Sequence, residues 1–466
     1  MPRVVVIGAG IAGLTLAYRL RAQLGDDCEV VVFEQSDRVG GYLRSEQRES
    51  FLIESGPNGF LDNAPDTLAL VGELGLRSRL TVSHDSARRR FVFRDGRLHL
   101  LPGSPSAFLG SGLLSLGAKL RIAAEPFARR KPDGDETIHA FAARRLGREA
   151  ADVLIDPMVS GVVAGDARQL SLRATFHKIW ELEDQHGGLL RALIARRRAR
   201  WATGAPVGSP LGRLTSFAGG IETLPLALAA ALGDRVQTRV EALGISPAAG
   251  AGATSWRIVV AGRDAVVADH VVLAVGPAVA GRLVGRLDQS LASRLTEIPS
   301  APLAVVALGF DLGILGHPLD GFGFLVPRRE GPRILGALWE SSVFSGRAPG
   351  GQGLVRVIAG GAHDPGFLAL DDHEMLRTVR RDLQTVMGVT AEPRMTRIIR
   401  HPAGIPQYTV GHLDRMAQID AAVARLPGLH LTGHGYRGVG INHGITDASA
   451  LATRLAAAIA GASRAA

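Results

Sequence analysis

Two short apolar runs near the N-terminus, Val4-Val5-Val6-Ile7 and Val30-Val31-Val32-Phe33, carry no polar break. Such runs predict strands buried on both faces. Between them Leu14, Ala17, Leu20 and Leu24 recur at helical spacing, predicting a helix over 14–24. Further along, the pattern predicts a strand from 50 into a Gly/Pro turn, a helix over 66–80, and a hairpin over 88–101 turning at Asp95-Gly96. A helix over 136–149 and another leading to Leu232 follow. Strands are expected at 236–240 and 270–275, with a hairpin pairing 256–260 with 264–268. Residues 295–400 alternate strands (302–311, 321–327, 333–339, 354–359, 394–399) with one helix at 372–387. This suits a mainly antiparallel sheet floored by helices. A helix over 413–425, a strand at 429–433 and a helix from about Thr446 complete the reading.

Between the first strand and the first helix lies Gly8-Ala9-Gly10-Ile11-Ala12-Gly13, and the second strand ends in Glu34, followed by Gln35. Strand, G-x-G-x-x-G, helix, strand and acid form the context in which the glycine motif means dinucleotide binding. Gly8 allows a tight turn, Gly10 lets a pyrophosphate approach a helix N-terminus, and Gly13 lets helix and strand pack closely. Glu34 is placed to meet ribose hydroxyls. Arg38-Val39-Gly40-Gly41 and Arg44 follow. A glycine pair admits a phosphate close to the backbone, and an arginine can pair with it.

Gly40-Gly41 and Arg44 resemble the double-glycine signature of flavoproteins that include amine oxidases, phytoene desaturases and protoporphyrinogen oxidases. Further segments are similar to the protoporphyrinogen oxidases in particular. They are Gly56-Pro57-Asn58-Gly59-Phe60, Asp156 to Asp166 with Leu170-Ser171, Pro406-Gln407-Tyr408, and Tyr436-Arg437-Gly438-Val439-Gly440-Ile441. The resemblance spans nearly the whole chain. It implies FAD as cofactor, held without a cysteine–flavin bond, with Gly56, Pro57 and Gly59 beside the isoalloxazine ring. It implies Asn58 near the flavin or a substrate carboxylate. The Val240 main chain is implied against adenine, and Val439, Gly440 and Ile441 near the ribityl chain. The implied fold is a Rossmann-type α/β FAD-binding domain with an α+β substrate domain and a mostly helical, membrane-associating insertion. Its expected parts are 1–85, 213–280 and 406–466 for FAD, 86–212 for the helical insertion and 281–405 for substrate.

The implied activity is oxidation of protoporphyrinogen IX to protoporphyrin IX, with O2 as acceptor and hydrogen peroxide as co-product. Coproporphyrinogen III oxidation is the alternative, and amine oxidase or carotenoid desaturase chemistry stands further off. There are departures. His434 and His443 stand where that family carries Gly-Asn and an acid, and His401 where some relatives carry an aromatic residue. No Ser/His/Asp, Cys/His or metal-ligand spacing nominates a catalytic acid, base or metal.

Composition sharpens this only in places. The chain has 466 residues, enough for two or three domains, and a formal net charge of +9. Lysine occurs only at 119, 131 and 178, so arginine supplies the excess; the resemblance implies a lysine near the flavin in an amine oxidase, and no lysine follows residue 178. Aromatic residues make up 5% and do not interleave with basic runs, which argues against nucleic-acid binding. The single cysteine, Cys28, excludes an intrachain disulfide and fits a reducing compartment. With a strand read from Val4, no leader is expected, and no stretch reads as a membrane span. Residues 106–128 place Phe108, Leu109, Leu113, Leu114, Leu116, Leu120 and Phe127 beside Lys119, Arg121, Arg129, Arg130 and Lys131. They read as membrane-interface helices, as a hairpin over a substrate cleft, or as core helices. The run Arg196, Arg197, Arg198, Arg200 and Trp201 reads as a solvated face or a headgroup contact. The expected location is cytoplasmic, peripheral on the inner membrane face, with oligomeric state open and a homodimer admitted.

Overall fold

The computed structural model describes residues 1–129, 131, 134–203, 212–248 and 255–465. Five parallel strands form its central sheet, in the order Val236–Gln237, Glu29–Phe33, Arg3–Ile7, His270–Leu273, Leu429–Leu431. The unbroken apolar runs are explained by this position. Val4, Val6, Val30 and Val32 pack on one side with Leu14, Leu20, Leu228, Ile445 and Leu455. Val5, Ile7, Val31 and Phe33 pack on the other with Trp256, Ile258, Leu291 and Leu295. Both faces are covered, so neither can alternate with polar residues.

A second, seven-stranded sheet runs in the order Met395–Pro406, Ser300–Asp311, Gln352–Gly360, Ile334–Trp339, Gly323–Leu325, Arg90–Arg94, Arg97–Leu100. It is antiparallel except where Gly323–Leu325 meets Arg90–Arg94. The helix Asp372–Met387 floors it through Met375, Val379, Leu383 and Val386. The hairpin expected inside the helical insertion therefore belongs to this sheet. Its Phe93 is buried among Val306, Leu308 and Phe324, a partnership more than two hundred residues distant and invisible to local pattern. Helices then dominate from Pro105 to Thr203.

Several boundaries differ from expectation. The helix expected over 66–80 is Pro65–Glu73 and stops before Gly75, whose φ of +68° ends it. The helix expected over 136–149 is Ile138–Leu146, broken at Gly147, φ +95°. Regular strand pairing at 236–240 ends at Gln237, because Arg239 is left-handed. The last helix begins at Ile441, not near Thr446. The linker 204–212 lies, save Gly212, outside the described residues, as do Arg130 and the side chains of Arg196, Arg197, Arg200 and Trp201. No helix among the described residues is long and apolar enough to cross a membrane.

Candidate functional site: a dinucleotide groove roofed by the second sheet

The glycine motif forms the turn between Arg3–Ile7 and the helix Ile11–Leu24. Gly8 has φ +109°, and its N–H donates to the Phe33 carbonyl at 2.8 Å. A Cβ on Gly13 would stand 2.0 Å from the Gly8 carbonyl oxygen, so only glycine lets the helix sit this close to the turn. Gly10 differs: a Cβ there meets nothing within 4 Å. No side chain caps the helix at Gly10 and no acid lies in its first turn. Its free N–H groups and positive dipole end suit an anion. The residues fit a dinucleotide pyrophosphate at that point.

The Gly40-Gly41 pair lies across this turn. Gly40 N–H donates to the Ala9 carbonyl at 2.8 Å, and Gly41, at φ +59°, would bring a Cβ to 3.5 Å from the Gly10 Cα. Arg44 is half-buried, and among the described residues nothing pairs with its guanidinium. A cation left without a protein partner beside an anion-binding turn suits a phosphate. Ile11 and Ala12 face Gly444, and Ala12 faces Gly433, so the two long helices meet at their starts.

Glu34 ends its strand within this groove. Its Oε2 accepts from Ala9 N–H at 2.9 Å, while Oε1 accepts from Ser36 N–H and Oγ at 3.0 and 2.8 Å. The carboxylate thus holds the glycine turn. Gln35 is exposed beside it. Val240 joins the same end, its N–H donating to the Glu34 carbonyl at 2.8 Å. Cys28 is buried at the start of the second strand, and burial pushes its thiol up to about 11.

The segment Tyr436–Ile441 is held by two tyrosines. Tyr408 Oη donates to the His434 carbonyl at 2.6 Å and accepts from Gly438 N–H at 2.8 Å. Tyr436 Oη donates to the Val275 carbonyl at 2.9 Å. Tyr408 stacks on His412, whose Nε2 meets the Tyr436 carbonyl at 2.9 Å. Burial lowers His412, keeping it a neutral strut. Gly438 and Gly440, at φ +141° and +118°, turn the chain into the last helix, with Val439 half-buried and Ile441 buried at its start.

Gly56, Pro57, Asn58 and Gly59 cross between the two sheets. A Cβ on Gly56 would lie 2.3 Å from the Tyr42 carbonyl oxygen, and one on Gly59 2.5 Å from that of Thr215. Pro57 is exposed, but Asn58 is buried. Its Nδ2 donates to both carboxylate oxygens of Glu340 at 3.3 Å. Glu340 pairs with Arg356 at 2.7 Å, and Arg356 also donates to the Gly56 carbonyl. A buried ion pair therefore underlies the turn, and Asn58 spends its amide N–H on it. Sequence reasoning missed Glu340 and Arg356; neither stands near a motif, and only the sheet brings them under residue 56.

It also missed Tyr42. Its ring meets His401 and His434 edge-on, with centroids at 5.7 and 5.4 Å. His401 Nε2 meets the Ser55 carbonyl at 2.7 Å. Burial lowers His401 and holds His434 at about 4. Through these rings the strand Met395–Pro406, which carries His401, meets the turn after Leu429–Leu431, which carries His434, and both histidines are neutral at pH 7. His443 meets the Val439 carbonyl through Nδ1 at 3.0 Å and lies against Gly438. All three lysines lie in the helical insertion, remote from this groove in the chain.

A model of flavin containing amine oxidoreductases matches residues 11–456, nearly the entire chain. The chain belongs to this family. Protoporphyrinogen oxidase 1 of Arabidopsis thaliana chloroplasts is 32% identical, over 95% of this chain and 86% of its own. The coproporphyrinogen III oxidase of Bacillus subtilis is 29% identical, over 94% of each. A crystal structure from Exiguobacterium superposes with a TM-score of 0.84 at 25% identity, covering 98% of both chains. As a member of the flavin containing amine oxidoreductases this chain is an oxidoreductase, and its cofactor is FAD.

Proposed function

We propose that this flavoenzyme oxidises a porphyrinogen to its porphyrin in haem biosynthesis, with protoporphyrinogen IX as substrate and coproporphyrinogen III as the alternative. The supporting observation is full-length similarity to oxidases of both substrates, joined to a dinucleotide groove closed by neutral rings. FAD supplies the electron acceptor, and O2 regenerates it. Gly8 to Gly13, Gly41, Arg44, Glu34, Gln35 and Val240 hold the pyrophosphate–ribose–adenine end. Gly56 to Gly59 and Val439 to Ile441 flank the flavin end. The parts 1–85, 213–280 and 406–466 act as the FAD unit and 281–405, with the hairpin at 90–100, as the substrate roof. The helical insertion rests peripherally on the inner membrane face, where an apolar macrocycle partitions.

The chain's own contribution is orientation and dryness. Tyr42, His401 and His434 exclude water at the junction. The Asn58–Glu340–Arg356 network fixes the turn at Gly56. No side chain here is assigned as proton acceptor; the proton leaves from a pyrrole N–H and passes to water. The experiment is purification with the flavin spectrum recorded, then aerobic assay of both porphyrinogens side by side by porphyrin fluorescence. Turnover of at least one is expected. A flavin-loaded protein that turns over neither overturns the proposal, and oxidation of amines instead would restore the amine oxidase reading.

A further inference from the structure

The segment 156–166 joins the helical insertion to the seven-stranded sheet. Asp156 opens the helix Asp156–Val163, which stops at Ala164, left-handed at φ +49°. The loop after strand Gln352–Gly360 grips this end: Ala362 N–H donates to the Ala164 carbonyl at 2.8 Å. A Cβ on Gly361 would stand 2.6 Å from the same oxygen, so the contact is as close as backbone allows. This clasp brings His363 against Asp156 and Asp166.

His363 Nε2 lies 3.8 Å from Asp156 Oδ1 and 4.0 Å from Asp166 Oδ1, and one ligand atom from each residue falls within 4.8 Å of the others. These distances are too long for hydrogen bonds. His363 Nε2 and Asp156 Oδ1 are both buried and have no hydrogen-bond partner. Asp156 is 2% exposed. Asp166 is already served, by Arg328 at 2.9 Å and by the Arg168 N–H at 2.9 Å. Once Arg328 is set against Asp166, the cluster retains the negative charge of Asp156. A buried carboxylate and a buried imidazole nitrogen, facing each other with a gap between, are costly unless something joins them.

Two ligands on one ion, each about 2.0–2.2 Å from it, stand about 3–4 Å apart. The observed spacings need only slight closure. The unpartnered His363 Nε2 is the kind of ring nitrogen that ligates such ions. One imidazole with two carboxylates suits a first-row transition ion over Ca2+, which takes six or more oxygens. We propose that Asp156, Asp166 and His363 bind a divalent first-row transition ion, such as Zn2+, that rivets the helical insertion to the sheet. The alternative occupant of the gap is a bridging water.

The test uses untagged, FAD-loaded full-length protein, dialysed against dipicolinate and then titrated calorimetrically with Zn2+. About one ion per chain is expected, with a rise in Tm of several degrees, since a ligand bound only by the folded state stabilises it by mass action. His363→Ala and Asp156→Asn should each lose both effects while keeping the flavin spectrum. Absence of binding and of the Tm rise in the unmutated protein overturns the proposal, as does undiminished binding by both variants. Should the variants fail to fold, anomalous diffraction at the zinc edge on crystals of the unmutated protein decides. A peak among the three side chains supports the site, and a water there overturns it. None of these readouts depends on porphyrinogen turnover.

Discussion

At the scale of single residues, the glycine turn separates two jobs that a motif runs together. Gly13 is needed by the protein itself, because the Gly8 carbonyl oxygen occupies the space a side chain would take, at 2.0 Å. Gly10 is needed by nothing in the protein, since a Cβ there meets no atom within 4 Å. Gly10→Val should therefore fold with nearly the original Tm in the FAD-free state, yet lose about tenfold or more in FAD retention, because its side chain enters the pyrophosphate's space. Gly13→Ala should cost about 1–3 kcal/mol through overpacking, whatever the cofactor. Flavin-to-protein absorbance ratio and thermal melts of the two variants check this. A yellow, stoichiometrically loaded Gly10→Val would defeat the placement of the cofactor. The glycines and Glu34 were legible in the sequence because each stands at a fixed offset within one strand–turn–helix unit. Tyr42, Glu340 and Arg356 were not, because the residues they meet at the site, His401 and His434 for Tyr42, Asn58 and Gly56 for the ion pair, lie hundreds of residues away in the chain.

At the scale of elements, the helical insertion shows what hydrophobic pattern can and cannot tell. Of the apolar residues between 106 and 128, Leu113 and Leu114 are buried with Val92 and Ala150, in the bend before the helix Leu116–Ala123. Leu109, Leu116, Leu120 and Phe127 are not: Phe127 is 88% exposed and Leu116 72%. Leu193 and Ile194 are exposed as well, on the helix Leu189–Thr203. Arg191 of that helix donates to the Pro126 carbonyl at 3.1 Å, which brings the helix against the turn before Phe127. The basic flank is partly committed inward, since Lys119 bonds the Leu109 and Ser111 carbonyls and Lys131 pairs with Asp184 at 3.0 Å. Apolar area then carries any interfacial binding more than charge does. The triple variant Leu116→Ser, Leu120→Ser, Phe127→Ser should float with liposomes several-fold less than the unmutated protein, with its Tm little changed, because none of the three is buried. Failure of the unmutated protein to float would sink the membrane proposal. Periodicity found these residues, but it could not sort core from surface within one stretch. That sorting depends on which face Val92 and Ala150 cover, and those residues belong to other elements.

At the scale of the whole molecule, the parallel sheet draws its strands from three separated stretches, and the last of them carries an acid weakness. His430 lies on the strand Leu429–Leu431, where burial, His270 and Arg454 hold it at about 4. His434 follows in the turn beside Tyr42, held at about 4 by burial. Both are neutral in the folded protein at pH values where an unfolded histidine, near 6.5, already takes a proton. Between pH 6.5 and 4 the unfolded state binds more protons, so stability rises with pH across that window and is lost on acidification. Below about 4 both states are protonated and the loss levels off. Each histidine contributes at most on the order of 3 kcal/mol. The sequence marked His434 only as a departure from relatives, since its burial arises when the C-terminal turn closes against the roofing sheet. Because that turn lies at the groove, FAD release is expected to begin at or before global unfolding. Flavin fluorescence and circular dichroism followed from pH 7 to 4 should show a falling Tm with early flavin release, and His434→Gln should flatten the slope. A Tm unchanged across this range, or an equal slope in the variant, would count against the buried neutral histidine as the source.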